Sequence, residues 1–256
     1  MKVIMVYSEA GGVTKTTTAV SLAMVSAAAG NSTTLIDLDP RGAATKWVGS
    51  YPDESWKHVG AILADSNPEG WADDLAIPTE WSERLRILPS ARSLSNREKD
   101  YEDHAELRLA VALEGHSSNV VVIDCPNRQG GLLTQNALAA STLVVYAATA
   151  NQDGLDGVEG ARESVQKFRA SREKIGAAVN LHEAGIVVGA VKDTVMTKVS
   201  TKALELLHET GLQLSPIIPN RTIVDQSRMT GEWYGKFDKG SPVLAAYQQV
   251  FSKIIN

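Results

Sequence analysis

The chain has 256 residues, enough for one large α/β domain with a substantial buried core. Its formal net charge of −5 excludes a general polycation, so any nucleic-acid contact has to come from a local basic patch. The single cysteine, Cys125, excludes an internal disulfide framework, and no apolar run reaches the ~18–20 residues of a membrane span. The chain enters a strand directly, without a charged-then-apolar leader, so a cytoplasmic protein with no membrane partner is expected.

Residues 3–7, VIMVY, read as a buried parallel strand. Residues 8–17 follow as a glycine loop, SEAGGVTKTT, and a helix is predicted over 18–29 with Gly30 as its stop. Strand, glycine loop, Lys-Thr and helix are the parts of a phosphate cradle. Gly11 and Gly12 let backbone N–H groups turn toward an anion. The helix N-terminus adds its positive end, Lys15 a point charge, and Thr16 a hydroxyl suited to Mg²⁺. The match to G-x-x-x-x-G-K-[ST] is imperfect, because Thr14 stands before Lys15.

Residues 33–38 form a second strand, which leads into Asp39-Pro40-Arg41-Gly42. A carboxylate at the C-terminal tip of a parallel strand lies beside the ligand crevice of an open α/β sheet, and the alternation puts Asp37 and Asp39 on one face. Residues 43–82 are broken by prolines and glycine into short helices and turns. They hold Trp47, Trp56, Trp71 and Trp81, which read as local core. A third strand is predicted at 85–89 and a helix with a solvated charged face at 101–114.

Val120-Val121-Val122-Ile123-Asp124 reads as a fully buried strand ending in a carboxylate, the Walker B arrangement, in which Asp124 would hold Mg²⁺ through a water. Cys125 reads as a small packing residue. A strand at 143–148, a helix at 153–174, a strand at 185–191, a helix at 197–209 and a short strand at 215–220 complete the alternation. That alternation predicts a doubly wound, mostly parallel sheet in a single domain over 1–256. Residues 242–256 read as an amphipathic helix packed on the sheet. A lipid-anchoring helix would be rich in Lys and Arg, and this one has only Lys253.

The loop resembles the deviant Walker A motif of the ParA/MinD family of ATPases, K-G-G-x-G-K-[ST]. Gly11-Gly12-Val13 and Lys15-Thr16-Thr17 match it, while Ala10 replaces the signature lysine and Thr14 the last glycine. Residues 37–42 resemble the family's D-x-D-P-Q-G, with Arg41 for Gln. Residues 124–130 resemble D-C-P-P-x-x-G, with Asn127 for the second proline.

The resemblance implies a P-loop fold binding ATP and Mg²⁺. Gly11, Gly12, Val13, Thr14, Lys15, Thr16 and Thr17 would hold the phosphates, and Pro219 and Asn220 the adenine. Thr16, Asp39 and Asp124 would serve the metal, with Lys15 and Asp39 in the catalytic roles. Asp37 would support that geometry. It also implies a homodimer on ATP binding, a centromere-binding or cargo adaptor protein, and non-specific DNA binding on the nucleoid. Basic residues for the DNA contact lie between Lys192 and Lys239, where seven basic residues are interleaved with six acidic ones, Asp193 among them. No N-terminal helix-turn-helix extension is expected.

Plasmid or replicon partitioning is the leading expectation. The alternatives are positioning of a protein cargo, or an ATP-binding switch with little turnover, since Ala10 cannot supply the trans lysine. Arg41 and Arg128 are the cations beside the motifs that could replace it.

Overall fold

The computed structural model describes residues 1–192 and 196–255; Asp193 and Asn256 lie outside them. In chain order the elements are β1 (Lys2–Tyr7), α1 (Lys15–Ala28), β2 (Thr33–Asp37), α2 (Ala43–Val48), α3 (Val59–Ile62), α4 (Trp71–Leu75), β3 (Ile77–Thr79) and β4 (Ser82–Leu88). There follow α5 (Arg108–Ala112), β5 (Val120–Asp124), α6 (Leu132–Ala140), β6 (Leu143–Thr149), α7 (Gln152–Lys174), β7 (His182–Gly189), α8 (Lys198–Glu209), α9 (Thr222–Thr230) and α10 (Ser241–Ile255).

The strands form one sheet in the order β3-β4-β2-β5-β1-β6-β7, parallel except for β3. The chain passes from β1 to β2 on one side and from β5 to β6 on the other. The crevice at the C-terminal tips of β1 and β5 is therefore a topological switch point, where α/β sheets take their ligands. Successive residues of β1 feed opposite faces. Val3, Met5 and Tyr7 join a core with α6, α7 and the short helices, while Ile4 and Val6 join a core with α1, α2 and α10.

Four expectations are corrected by the fold. The first helix begins at Lys15, a turn earlier than predicted, so the phosphate-binding residues form its opening turn. The predicted helix at 101–114 is a 3₁₀ turn at Ala105–Leu107 followed by the five-residue α5. Of its charges, Glu102, Asp103 and Glu114 are exposed as expected, while Arg108 is buried, donating to Asp100 Oδ2 at 2.9 Å, to the Leu63 carbonyl at 2.7 Å and to Glu102. The chain enters the 3₁₀ turn through the left-handed conformation at His104 (φ 63°). The short strand at 215–220 is reduced to isolated bridges, Ile186 with Gln213 and Val191 with Pro219. Pro216 and Pro219 have no N–H to donate to a ladder. An antiparallel edge strand, β3, lies in the segment read as helices and turns; Pro78 within it is tolerated because the strand is at the sheet edge.

The tryptophans divide. Trp47 is core and the partly buried Trp81 packs against it, in a cluster that extends to Trp233 and Tyr234 rather than in a local insertion, with ring centroids 4.1–6.3 Å apart. Trp71 packs from α4 onto the opposite core, and Trp56 is half exposed. The terminal helix α10 buries Val243, Tyr247, Val250 and Ile254, and the Tyr247 hydroxyl meets that of Thr18 on α1 at 3.1 Å. That agrees with the expected packed helix up to Ile255.

Candidate nucleotide site

The loop between β1 and α1 is shaped by two left-handed residues, Gly12 (φ 74°) and Thr14 (φ 68°). Glycine takes that conformation freely; a β-branched threonine is strained there. The Thr14 side chain is wedged against the end of β7, where a Cβ on Gly189 would sit 2.6 Å from Thr14 Oγ1. The loop's entry rests on α7. The Glu9 N–H donates to the Gly157 carbonyl at 3.1 Å, and a Cβ on Gly157 would lie 2.7 Å from that of Ala10. Ala10 is thus seated on a bare stretch of helix.

Lys15 is 7% exposed and donates to the Ala10 carbonyl across the loop. Burial pulls its ammonium down to about 8, against the attraction of Asp124, Cys125 and Asp39. Asp37 and Asp124 are side by side in register on β2 and β5. Asp37 accepts the Thr45 N–H and hydroxyl, both at 2.8 Å, and the Asp39 N–H at 3.2 Å, yet burial still pushes it up to about 6. Asp124 differs: both its carboxylate oxygens are buried and meet no hydrogen-bond partner among the described residues. Burial, then the neighbouring charge of Asp37, drives its pKa up. The Thr16 hydroxyl, close by but outside hydrogen-bond geometry, opposes that shift. Burial likewise raises the Cys125 thiol, which suits the packing role expected of it.

Asp39 is buried at the mouth of the crevice and held by Arg41. The guanidinium Nη2 donates to Oδ2 at 2.7 Å and Nε at 3.1 Å, while the Arg41 backbone N–H donates to Oδ1 at 2.9 Å. Arg128 is turned away, paired with Glu98 at 3.0 Å.

A cavity of about 850 Å³ opens over these groups. Its lining includes Gly12, Val13, Thr14, Lys15, Thr16, Thr17 and Asp39 on one side and Pro219 and Asn220 on the other. The phosphate-side and base-side residues expected from the sequence are therefore brought together across one pocket. Gly11 and Asp124 are not in its wall. Gly11 faces the Asn127 amide, whose Nδ2 would be 2.9 Å from a Cβ there, and Asp124 lies beneath the loop. Sequence reasoning missed part of the pocket's wall, to which the buried Trp47 and Tyr247 and the exposed Arg228 contribute. Arg228 stacks over Trp47 at 5.7 Å, a contact that no local motif announces.

A metal ion fits this arrangement in part. Asp124 presents two buried oxygens without protein partners beside the Thr16 hydroxyl, an all-oxygen set of the kind a hard divalent cation takes. Among the described residues no group of three or more His, Cys, Asp or Glu side chains is arranged to hold a metal alone. Mg²⁺ meets that condition, since it keeps waters and substrate oxygens in its shell.

A glycine loop closing onto a helix N-terminus, a buried lysine and a strand-tip carboxylate at a switch point define a P-loop nucleotide-binding protein. The family model described as "AAA domain" matches residues 1–176. The chain is 34% identical over 161 residues to the chromosome partitioning protein ParA of Myxococcus xanthus, covering 61% of this chain and 55% of that protein. It is 35% identical over 162 residues to the sporulation initiation inhibitor protein Soj of Bacillus subtilis, covering 61% of this chain and 62% of that one. The chain thus aligns with little more than half the length of these relatives. Among solved structures, apo McdA from Cyanothece superposes with a TM-score of 0.83 at 22% identity, covering all of both chains. Cobyrinic acid a,c-diamide synthase from Mycobacterium smegmatis, with ADP and magnesium bound, superposes at 0.75 and 25% identity over 97% of this chain and 91% of that one. The chain belongs to the ParA/MinD family of P-loop ATPases. Among the described residues no helix is long and apolar enough to cross a membrane.

Proposed function

We propose that the chain is a ParA-like positioning ATPase that binds ATP with Mg²⁺ in the cavity between the loop and Pro219-Asn220. The observation that carries this is the convergence of Lys15, Asp39 and the unpartnered oxygens of Asp124 beneath one pocket. Leaving a buried carboxylate without partners costs free energy, so a site that does so is built for a ligand that is not part of the chain.

In this reading the N–H groups of the α1 N-terminus and Lys15 hold the β- and γ-phosphates, and Pro219 and Asn220 border the base. Thr16 and Asp124 hold Mg²⁺, which when bound neutralises phosphate charge. Asp39 orients the attacking water. The water oxygen bonds to the γ-phosphorus as the bond to the β–γ bridging oxygen breaks, and ADP leaves with that electron pair. The water proton passes to the Asp39 carboxylate and on to solvent.

The partition relatives support a wider role for the whole protein, as one domain acting as an ATP-dependent homodimer. That dimer binds DNA without sequence preference and hydrolyses ATP when an adaptor engages it. Of the basic residues expected to meet DNA, Lys198 and Lys202 are exposed on α8, Lys192, Lys236 and Lys239 are exposed outside the α-helices, and Arg221 and Arg228 sit at the pocket mouth. Salt-dependent retention of the ATP-bound protein on DNA of arbitrary sequence tests that role.

A switch with little turnover is favoured by one observation, the Arg41 grip on Asp39. Measuring hydrolysis with DNA present decides between the two. Turnover that falls at least ~100-fold in Asp39→Ala with ATP binding retained marks an enzyme. Tight ATP binding with no turnover in the wild-type chain marks a switch.

A further inference from the structure

Two residues from different loops meet over the crevice. Arg41 follows β2 and Asn127 follows β5; the Arg41 Nη2 donates to the Asn127 Oδ1 at 2.5 Å. The same nitrogen holds Asp39 at 2.7 Å, and the Asn127 Nδ2 lies against Gly11. One guanidinium therefore ties together all three loops of the site: the phosphate loop through Asn127, the loop after β2 through Asp39, and the loop after β5 directly.

This tie is asymmetric. The Asp39 carboxyl is 6% exposed, whereas the Arg41 side chain is 65% exposed and lines the same cavity as Lys15 and Thr16. An exposed arginine on a fixed carboxylate is held loosely, because water competes for its other donors. A polyphosphate entering the cavity brings more negative charge than one carboxylate, and its oxygens match the planar guanidinium fork. While Arg41 stays, its charge occupies the oxygens with which Asp39 would accept a proton.

We propose that Arg41 is a two-position cation. Without nucleotide it locks Asp39 and rests on Asn127. With a nucleoside triphosphate it moves to the terminal phosphate of the same subunit. That move frees Asp39 for the attacking water and supplies the positive charge that Ala10 cannot. Asn127 positions the fork in its resting state and does not touch substrate. The inference rests on the ATPase reading above.

The test uses the full chain and fluorescent ATP and ADP analogues, with single-turnover hydrolysis of ATP. In Arg41→Ala, ADP affinity stays within about twofold, ATP affinity falls about tenfold, and hydrolysis falls at least ~100-fold, the lower reach of what a phosphate-contacting arginine contributes. Arg41→Gln, which keeps a hydrogen-bond donor for Asp39 and so guards against a folding defect, shows the same selective loss. Asn127→Ala leaves hydrolysis equal or faster, because only the resting position is weakened. Hydrolysis within threefold of wild type in both Arg41 variants overturns the proposal, as does an equal loss of ATP and ADP affinity. Lys15→Ala separates the two levels. If the wild-type chain and Lys15→Ala bind ATP equally, the ATPase reading itself fails and the Arg41 proposal falls with it.

Discussion

The two ends of strands β2 and β5 each hold a carboxylate, and the two are satisfied in opposite ways. At the start of β2, Asp73 from α4 has both oxygens taken. Oδ1 accepts from Arg86 at 2.5 Å and the Ser117 hydroxyl at 2.6 Å, and Oδ2 from the Ser117 N–H at 2.9 Å. His116 closes the cluster, with Nδ1 3.2 Å from Asp73 and Nε2 3.1 Å from the Thr34 hydroxyl. At the other end, Asp124 is buried as deeply as the apolar core around it, and its oxygens meet no partner among the described residues. Both clusters are charged and border the same strands. Only Asp73 has both oxygens paired without a ligand, and that difference separates a structural carboxylate from a site.

The largest effect expected comes from exchanging the two carboxylates' fates. Asp124→Asn abolishes Mg²⁺-dependent ATP binding. It also raises the melting temperature of the ligand-free protein at neutral pH, because an unpartnered buried carboxyl, whose ionisation burial and the Asp37 charge both oppose, leaves the core. A gain of about 1–3 kcal/mol corresponds to a rise of roughly 2–12 °C. Asp73→Ala does the reverse: it lowers stability by about 1–3 kcal/mol, since Arg86 and Ser117 lose their acceptor, and leaves ATP affinity unchanged. Thermal melts with and without Mg-ATP check both. A stabilised Asp73→Ala or a destabilised Asp124→Asn would break the comparison.

A smaller effect follows from Lys15. Its ammonium is held down to about 8 by burial, so the ligand-free protein loses that proton as pH rises past 8. An anion needs the charged form, so ATP affinity is flat below about pH 8 and weakens about tenfold per unit above it. Folding stability runs the other way. Between about 8 and 10.5 the unfolded chain binds the proton that the native one has released, so stability rises with pH across that window. Binding and melting curves from pH 7 to 10 check both signs. An affinity that stays flat to pH 10 would place Lys15 away from the phosphates.

Much of this was legible in the chain. The apolar runs at 3–7 and 120–124 placed the central strands, because burial on both faces leaves few other readings for β-branched residues. Lys15 and Asp39 were marked by short motifs whose geometry is local. What escaped was set by distant partners. Arg108 looked like one more surface charge until Asp100, Glu102 and Leu63 surrounded it. Trp47 looked like packing, and it is, but it also forms the pocket wall beneath Arg228. The Arg41–Asn127 contact joins residues 86 apart, which no window along the chain contains.

The smallest single effect, that of Thr14→Gly, lies within the loop itself. Thr14 holds a left-handed backbone that glycine would take at no cost, so Thr14→Gly alone removes about 1 kcal/mol of strain. It also empties the space against β7, and the net change in stability is under about 1 kcal/mol. Gly189 has an ordinary φ, so its lack of a side chain answers to space rather than to backbone conformation. An added Cβ meets Thr14 Oγ1 at 2.6 Å and its Cβ at 3.1 Å. Gly189→Ala is therefore destabilising by about 1–3 kcal/mol, as overpacking is elsewhere. In the Thr14→Gly background the same substitution has room and costs little. The double-mutant cycle should return a coupling of at least about 1 kcal/mol. A coupling near zero would mean that β7 does not brace the loop, and that Thr14 holds its conformation through its position at the start of α1 alone.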